Sequence, residues 1–213
     1  GNMKKETREV GTFTGLLSQG PMDVEISYGK ESTITIEADD NLLPYIETAV
    51  ENNKLIIKTK KNVGINSRHN LRVHISMTTV STLQLSGSGN INGSGDFSND
   101  GKTDIGISGS GNIKMSFDKF NELELGLSGS GNLILKGNNV NNITASISGS
   151  GNIECADINT NDVFARISGS GNIKVTAQKS LDAKISGSGN VYYKGVATNI
   201  TTKKSGSGAV IKM

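Results

Sequence analysis

A parallel β-solenoid of about 20 residues per coil is the fold the sequence predicts, and two observations predict it. The first is a repeat. Ser-Gly-Ser-Gly begins at Ser86, Ser108, Ser128, Ser148, Ser168, Ser186 and Ser205, at spacings of 22, 20, 20, 20, 18 and 19 residues. Asn follows it in six copies (Asn90, Asn112, Asn132, Asn152, Asn172 and Asn190), and Ala209 follows it in the last. A repeat of this length is too short for paired helices and suits one β coil. The second observation is alternation with period two on both sides of the motif, the mark of a strand with one buried face.

Each coil reads as two strands and a corner. Before the motif the alternate apolar residues are Leu123, Leu125 and Leu127, then Ile143, Ala145 and Ile147, then Val163, Ala165 and Ile167, then Leu181, Ala183 and Ile185. After the Asn the pattern resumes with Ile113 and Met115, Leu133 and Leu135, Ile153 and Cys155, and Ile173 and Val175. Stacking coils about 4.8 Å apart piles these side chains into internal ladders that no single repeat could bury alone. The corner glycines permit positive φ and close approach of backbones. Asn tolerates the left-handed region, and its amide can bond to the equivalent Asn of the neighbouring coils. Length varies only between the second strand and the next coil, as between 92–103 and the shorter 176–180, so one edge is expected to carry the variable loops.

Residues 8–213 are expected to form one domain: irregular N-terminal β coils acting as a cap over 8–80, and regular coils over 81–213. The cap region still alternates at 23–27, 33–37, 54–59 and 71–76, with turns at 41–44 and 52–53. At the other end Lys204 and Lys212 fall in inward register, which suits only a stack that meets solvent there. The winding is expected to be right-handed.

Composition narrows the function. A formal net charge of +2 over 213 residues gives no broad basic footprint for nucleic acid, and nine aromatics (four Tyr, five Phe, no Trp) leave few stacking platforms. One cysteine, Cys155, precludes an internal disulfide framework. No apolar run of about eighteen residues is present to span a membrane, and no signal peptide is visible.

The opening Arg8-Glu9-Val10-Gly11-Thr12-Phe13-Thr14-Gly15, the stretch Ile36-Glu37-Ala38-Asp39-Asp40-Asn41-Leu42-Leu43-Pro44-Tyr45-Ile46 and the serial Ile-Ser-Gly-Ser-Gly-Asn-Ile segments resemble the head GIN domain family, labelled "putative auto-transporter adhesin". The resemblance covers nearly the whole chain. It implies an extracytoplasmic protein of the bacterial cell envelope, in the periplasm or on the outer surface, with a lipid anchor on an upstream cysteine. It brings no catalytic residues.

Candidate sites are sparse. Cys155 sits in the inward position of Met115, Leu135 and Val175, so it reads as a buried structural thiol rather than a nucleophile. His74 alternates outward between Val73 and Ile75, and His69 lies in a turn; neither has ligands at metal spacing. Asp104 and Glu124, with Glu122 nearby, share an outward register and form the one weak candidate for a metal or an acid–base pair. Lys102 and Lys114 are expected to neutralise them. The stretch from Gly95 to Gly101-Lys102-Thr103 has the wrong glycine spacing and no following helix for a phosphate loop. Ile134, Phe164 and Tyr192 are outward apolar residues and constitute the candidate partner patch.

The function read from these residues is a non-enzymatic surface or envelope scaffold, adhesin-like, with no cofactor. Its expected partner is a glycan or a surface protein, not nucleic acid. The rival is a carbohydrate-active β-helix enzyme, which needs acids converging on one groove. The outward row after the motif, Asn92, Lys114, Ile134, Glu154, Lys174 and Tyr192, holds a single acid and argues against it. A structural spacer or assembly unit is the third reading.

Overall fold

The computed structural model describes residues 1–65 and 71–213. It is an all-β solenoid. Seven coils carry the repeated motif, beginning with β8 (Thr82–Gly87) and β9 (Asn90–Ser94) and ending with strands Asn199–Ser205 and Ala209–Lys212. The strands before the corner stack into one parallel sheet and those after it into a second. Register between coils follows the sequence alignment. Ile107 pairs with Leu127, Leu127 with Ile147, Ile147 with Ile167 and Ile167 with Ile185.

The corner shows why the motif is written with two glycines. Its first Gly lies in the left-handed region in every copy, as at Gly149 (φ 124°) and Gly169 (φ 122°). Its second Gly has no such φ but stacks directly on its equivalent, where a Cβ would run into the carbonyl of the coil below. The two are joined across coils: the Gly151 N–H donates to Gly129 O (3.1 Å), and Gly171 N–H to Gly149 O (3.1 Å). The corner is therefore hydrogen-bonded along the stack like the sheets. The motif Asn does not use its tolerance of the left-handed region: among the described residues, the non-Gly positive φ angles fall at Asn52, Asn53 and Asn62. What the Asn supplies is the amide ladder. Asn132 N–H donates to Asn112 Oδ1 (2.9 Å), Asn172 N–H to Asn152 Oδ1 (3.1 Å) and Asn190 N–H to Asn172 Oδ1 (2.9 Å). Asp23 begins the ladder by accepting from Asn90.

The N-terminal third is more regular than its sequence suggests. It comprises β1 (Met3–Arg8), β2 (Gly15–Gln19), β3 (Asp23–Tyr28), β4 (Thr33–Asp39), β5 (Ile46–Glu51), β6 (Lys54–Thr59) and β7 (Arg72–Met77). The pair β2–β3 is a coil in register with β8–β9, with Gln19 beside Ser86 and Val24 beside Ile91. Its corner uses Gly20 (φ 129°) in place of the motif glycine. The pair β6–β7 stacks on the far side of β2–β3. Order along the stack thus departs from order along the chain, since β2–β3 lies between β6–β7 and β8–β9. The cap proper is antiparallel: β4 pairs with β7 and with β1, while β5 folds back on β6 through the left-handed pair Asn52 and Asn53. Arg8 ties β1 to the turn at Leu43–Tyr45 by donating to the carbonyl of Leu43 (2.9 Å). Hairpins laid across an end in this way protect its edge from further pairing.

The hydrophobic core is continuous from Phe13 to Val191. Inner ladder residues are 0–3% exposed from Leu83 to Ile185, each worth about 1.5–3 kcal/mol of burial for a large aliphatic side chain. The stretch between the second strand and the next coil is not a free loop. It buries Phe97, Phe120, Val140, Ile158 and Ala177, and Phe117 stacks on Phe120 with ring centroids 4.2 Å apart. Residues 92–103, expected to be a variable loop, bury Phe97 and Thr103; the latter's hydroxyl donates to Val80 O (2.8 Å). At the C-terminal end Lys204 stacks beside Ile185 and Lys212 beside Tyr193, both exposed, as the sequence implied.

Two outcomes are expected. Gly149→Val should lower unfolding free energy by about 3 kcal/mol or more, measured by denaturant melts. The Cβ would lie 2.6 Å from Gly129 O, on a backbone that a β-branched residue resists. An unchanged midpoint would remove the corner model. Cys155 should resist thiol reagents in the native protein. Burial pushes its thiol up from 9.0 to about 12, so the folded state keeps a proton that the unfolded state releases. Stability is intact below pH 9 and should fall by about 1.4 kcal/mol per pH unit toward pH 12. Cys155→Ala should lose that component, and equal slopes in both proteins would place the thiol in solvent.

Candidate binding surface

With the inward side chains committed to the ladders, the outward columns remain for function. Each column is one outward position repeated from coil to coil, so residues about 20 apart in sequence become neighbours about 4.8 Å apart.

The acidic candidate lies on the sheet before the corner. Asp104 pairs in register with Glu124 and Lys102 with Glu122, as the 20-residue spacing implied. Lys102 Nζ lies 2.8 Å from Glu124 Oε2. Lys114 is not a partner. It lies past the corner on the other sheet, between Asn92 and Ile134. Partial burial and a hydrogen bond to Glu124 raise Asp104 above the ordinary carboxylate range, while the hydrogen bond from Lys102 lowers Glu124. Among the described residues no three His, Cys, Asp or Glu side chains are placed to share a metal ion. Two stacked carboxylates are instead accommodated by a cation and by unequal proton affinities.

The apolar candidates do not form one patch. Phe164, 39% exposed, is on the sheet before the corner, between Thr144 and Asp182. Ile134 and Tyr192 share a column on the other sheet, separated there by Glu154 and Lys174. Those two charges pair with each other at 3.5 Å. Outward His74 pairs with Glu37 (3.4 Å), and His69 lies outside the described residues. Cys155 is fully buried.

Sequence reasoning missed a second amide ladder. Asn141 donates to Asn121 and Asn161 to Asn141 (3.5 Å) at the second corner, beside Gln178 donating to Asn159 (3.3 Å). These amides line a groove of about 490 Å³. The signal was present as Asn at 121, 141 and 161, but in the stretch read as variable loop.

Fold and surface together define a class: a repeat-built β-solenoid with a packed interior and polar columns outside. The family model described as "Putative auto-transporter adhesin, head GIN domain" matches residues 12–197, and the chain belongs to that family. Similar solved structures share the fold along the whole chain. A putative adhesin from Bacteroides fragilis is 22% identical with a TM-score of 0.91, covering 100% of this chain and 97% of its own. A putative lipid binding protein from Parabacteroides distasonis is 26% identical with a TM-score of 0.81, covering 100% and 97%. A putative adhesin from the same organism is 22% identical with a TM-score of 0.73, covering 100% and 98%. No curated protein matches.

The carboxylate pair carries a pH prediction. In an NMR titration Asp104 should titrate above, and Glu124 below, the ordinary range for its residue type. Glu124 contributes stability above its unfolded value that is lost as pH falls through its depressed folded value; Asp104 contributes with the opposite sign. Lys102→Met should move both carboxyls upward, since the ammonium holds both down. If neither moved, the register of this cluster would be wrong.

Proposed function

We propose that the chain is a non-enzymatic, adhesin-like binding scaffold of the bacterial cell envelope, acting outside the cytoplasm. The observation that carries this reading is the exterior: polar and charged columns repeated at strand spacing, with shallow grooves of about 370–490 Å³ between them. Family membership supports it, because the family's own description is that of an adhesin. Such a surface binds through many modest contacts along its length, so affinity is spread over several residues rather than concentrated in one. The partner class that fits is a glycan or a surface protein. The related structure described as a putative lipid binding protein raises lipid as a ligand. Here ladder side chains fill the interior, so a lipid would be held by its headgroup on the outside.

Immobilised protein should retain ligands on an array of glycans and surface proteins, with no turnover in a broad hydrolase screen. Single outward substitutions should each weaken binding by about threefold or less, roughly 0.6 kcal/mol. Turnover of a polysaccharide that is abolished by Glu124→Gln or Asp104→Asn would overturn the non-enzymatic reading.

A further inference from the structure

One outward column carries charges of a single sign. On the sheet before the corner, Ser146 stacks beside Arg166, Arg166 beside Lys184 and Lys184 beside Lys203. Earlier coils fill the same column with Gln84, Gly106 and Gly126. Three consecutive cations therefore stand about 4.8 Å apart, over a length of about 10 Å. Lys204 of the last coil opens onto the same groove, whose volume is about 390 Å³.

Like charges directly opposite one another destabilise a sheet, and at the other charged stacks each charge has a partner of opposite sign beside it. Lys174 faces Glu154 at 3.5 Å, Lys58 faces Glu47 at 3.8 Å, and the stacked Asp104 and Glu124 are served by Lys102. In the basic column only Arg166 has a counterion, Asp182 at 3.3 Å. Among the described residues Lys184, Lys203 and Lys204 have no ion-pair partner. The fold gains nothing from this arrangement; an anionic ligand would.

Two neighbours indicate what kind of anion. Beside the cations runs the column of motif hydroxyls Ser168, Ser186 and Ser205, all exposed. Such hydroxyls both donate and accept and so suit a polyhydroxylated chain. On the other side, two residues before Arg166 and about 6.6 Å along the strand, stands Phe164, the most exposed phenylalanine of the chain. An exposed ring beside cations suits the apolar face of a sugar bearing acidic groups.

We propose that this groove binds a linear anionic polysaccharide, sulfated or carboxylated, running along the solenoid axis. Successive acidic groups meet Arg166, Lys184 and Lys203, the serine column contacts sugar oxygens, and Phe164 packs under a ring. The proposal rests on the reading of the chain as a binding scaffold and names the ligand class for one of its faces.

The test uses the whole chain and size-matched oligosaccharides: a heparin fragment, an oligogalacturonate and neutral dextran, followed by calorimetry and by NMR shifts. Both anionic probes, or one of them, should bind in preference to dextran, with shifts centred on Lys184 and Phe164. The double variant K184E/K203E should bind about tenfold more weakly or worse, and Phe164→Ala about threefold more weakly. The charge-matched control K4E/K30E, in the N-terminal third and away from the grooves, should bind within about twofold of wild type. Melting temperature should not fall in K184Q/K203Q, since stacked like charges are removed; a purely structural column predicts that it falls. Equal loss in the control would reduce the effect to bulk charge and overturn the site. Duplex DNA that binds as tightly, with no effect of Phe164→Ala, would make the groove an unselective ion exchanger and overturn the saccharide assignment. Retention of array ligands by K184E/K203E after its loss of both anionic oligosaccharides would support the groove as a distinct site. Wild type that retains array ligands but binds neither anionic probe would overturn this proposal alone and leave the scaffold reading standing.

Discussion

Everything in this molecule depends on backbone hydrogen bonding between coils held at one strand spacing. The strands of a motif coil have no sheet partner within that coil; their N–H and C=O groups are satisfied by neighbouring coils. That requirement extends to the corners, where a helix or a loop would break the pairing. The Ser-Gly-Ser-Gly corner keeps it unbroken because its second glycine donates to the first glycine of the preceding coil. Any side chain at the second position would push the coils apart at the corner while the sheets held them together. The repeat is therefore conserved from coil to coil within this chain for a geometric reason, whatever the outer surface binds.

Stacking has a second consequence, for electrostatics. Each outward residue meets its equivalents at about 4.8 Å, so the sign of a column is set by residues about 20 apart in the chain. Where the signs alternate, as at Glu154 and Lys174, the pair is self-satisfied and inert. Where both are acidic, as at Asp104 and Glu124, Lys102 and a raised proton affinity on Asp104 relieve the repulsion. Where three are basic, as at Arg166, Lys184 and Lys203, Asp182 serves Arg166, and the two lysines have no ion-pair partner among the described residues. The same geometry that builds the core thus sets which outward charges are paired and which are not.

The stack also needs ends. At the N-terminal end the solution is topological: β4 and β5 run antiparallel to the last parallel strands and turn the edge away from further coils. At the C-terminal end it is chemical, with Lys204 and Lys212 in the register of Ile185 and Tyr193. Charges in inward register are tolerable only where no further coil covers them.

The period of two, the coil length and the motif were enough for the sequence by itself to determine the parallel stack, its register from Ser86 onward and the burial of Cys155, because each is a local pattern repeated. The facing of Asp104 and Glu124 was legible for the same reason, the two being one repeat apart. Tertiary structure decided what depends on partners chosen across variable distance. The β2–β3 coil has Gln19-Gly20-Pro21-Met22 where the seven later coils have the motif, so its place between β6–β7 and β8–β9 is visible only in the pairing. The stretch at the second corner looked like loop because its length varies, yet Phe97, Phe117 and Phe120 pack inward there. Lys114 looked close to Asp104 in an alignment, but the chain turns at the corner between them and puts it on the other sheet. Alternation says which side of a strand a residue takes; only the path of the chain around the coil says which sheet that strand has joined.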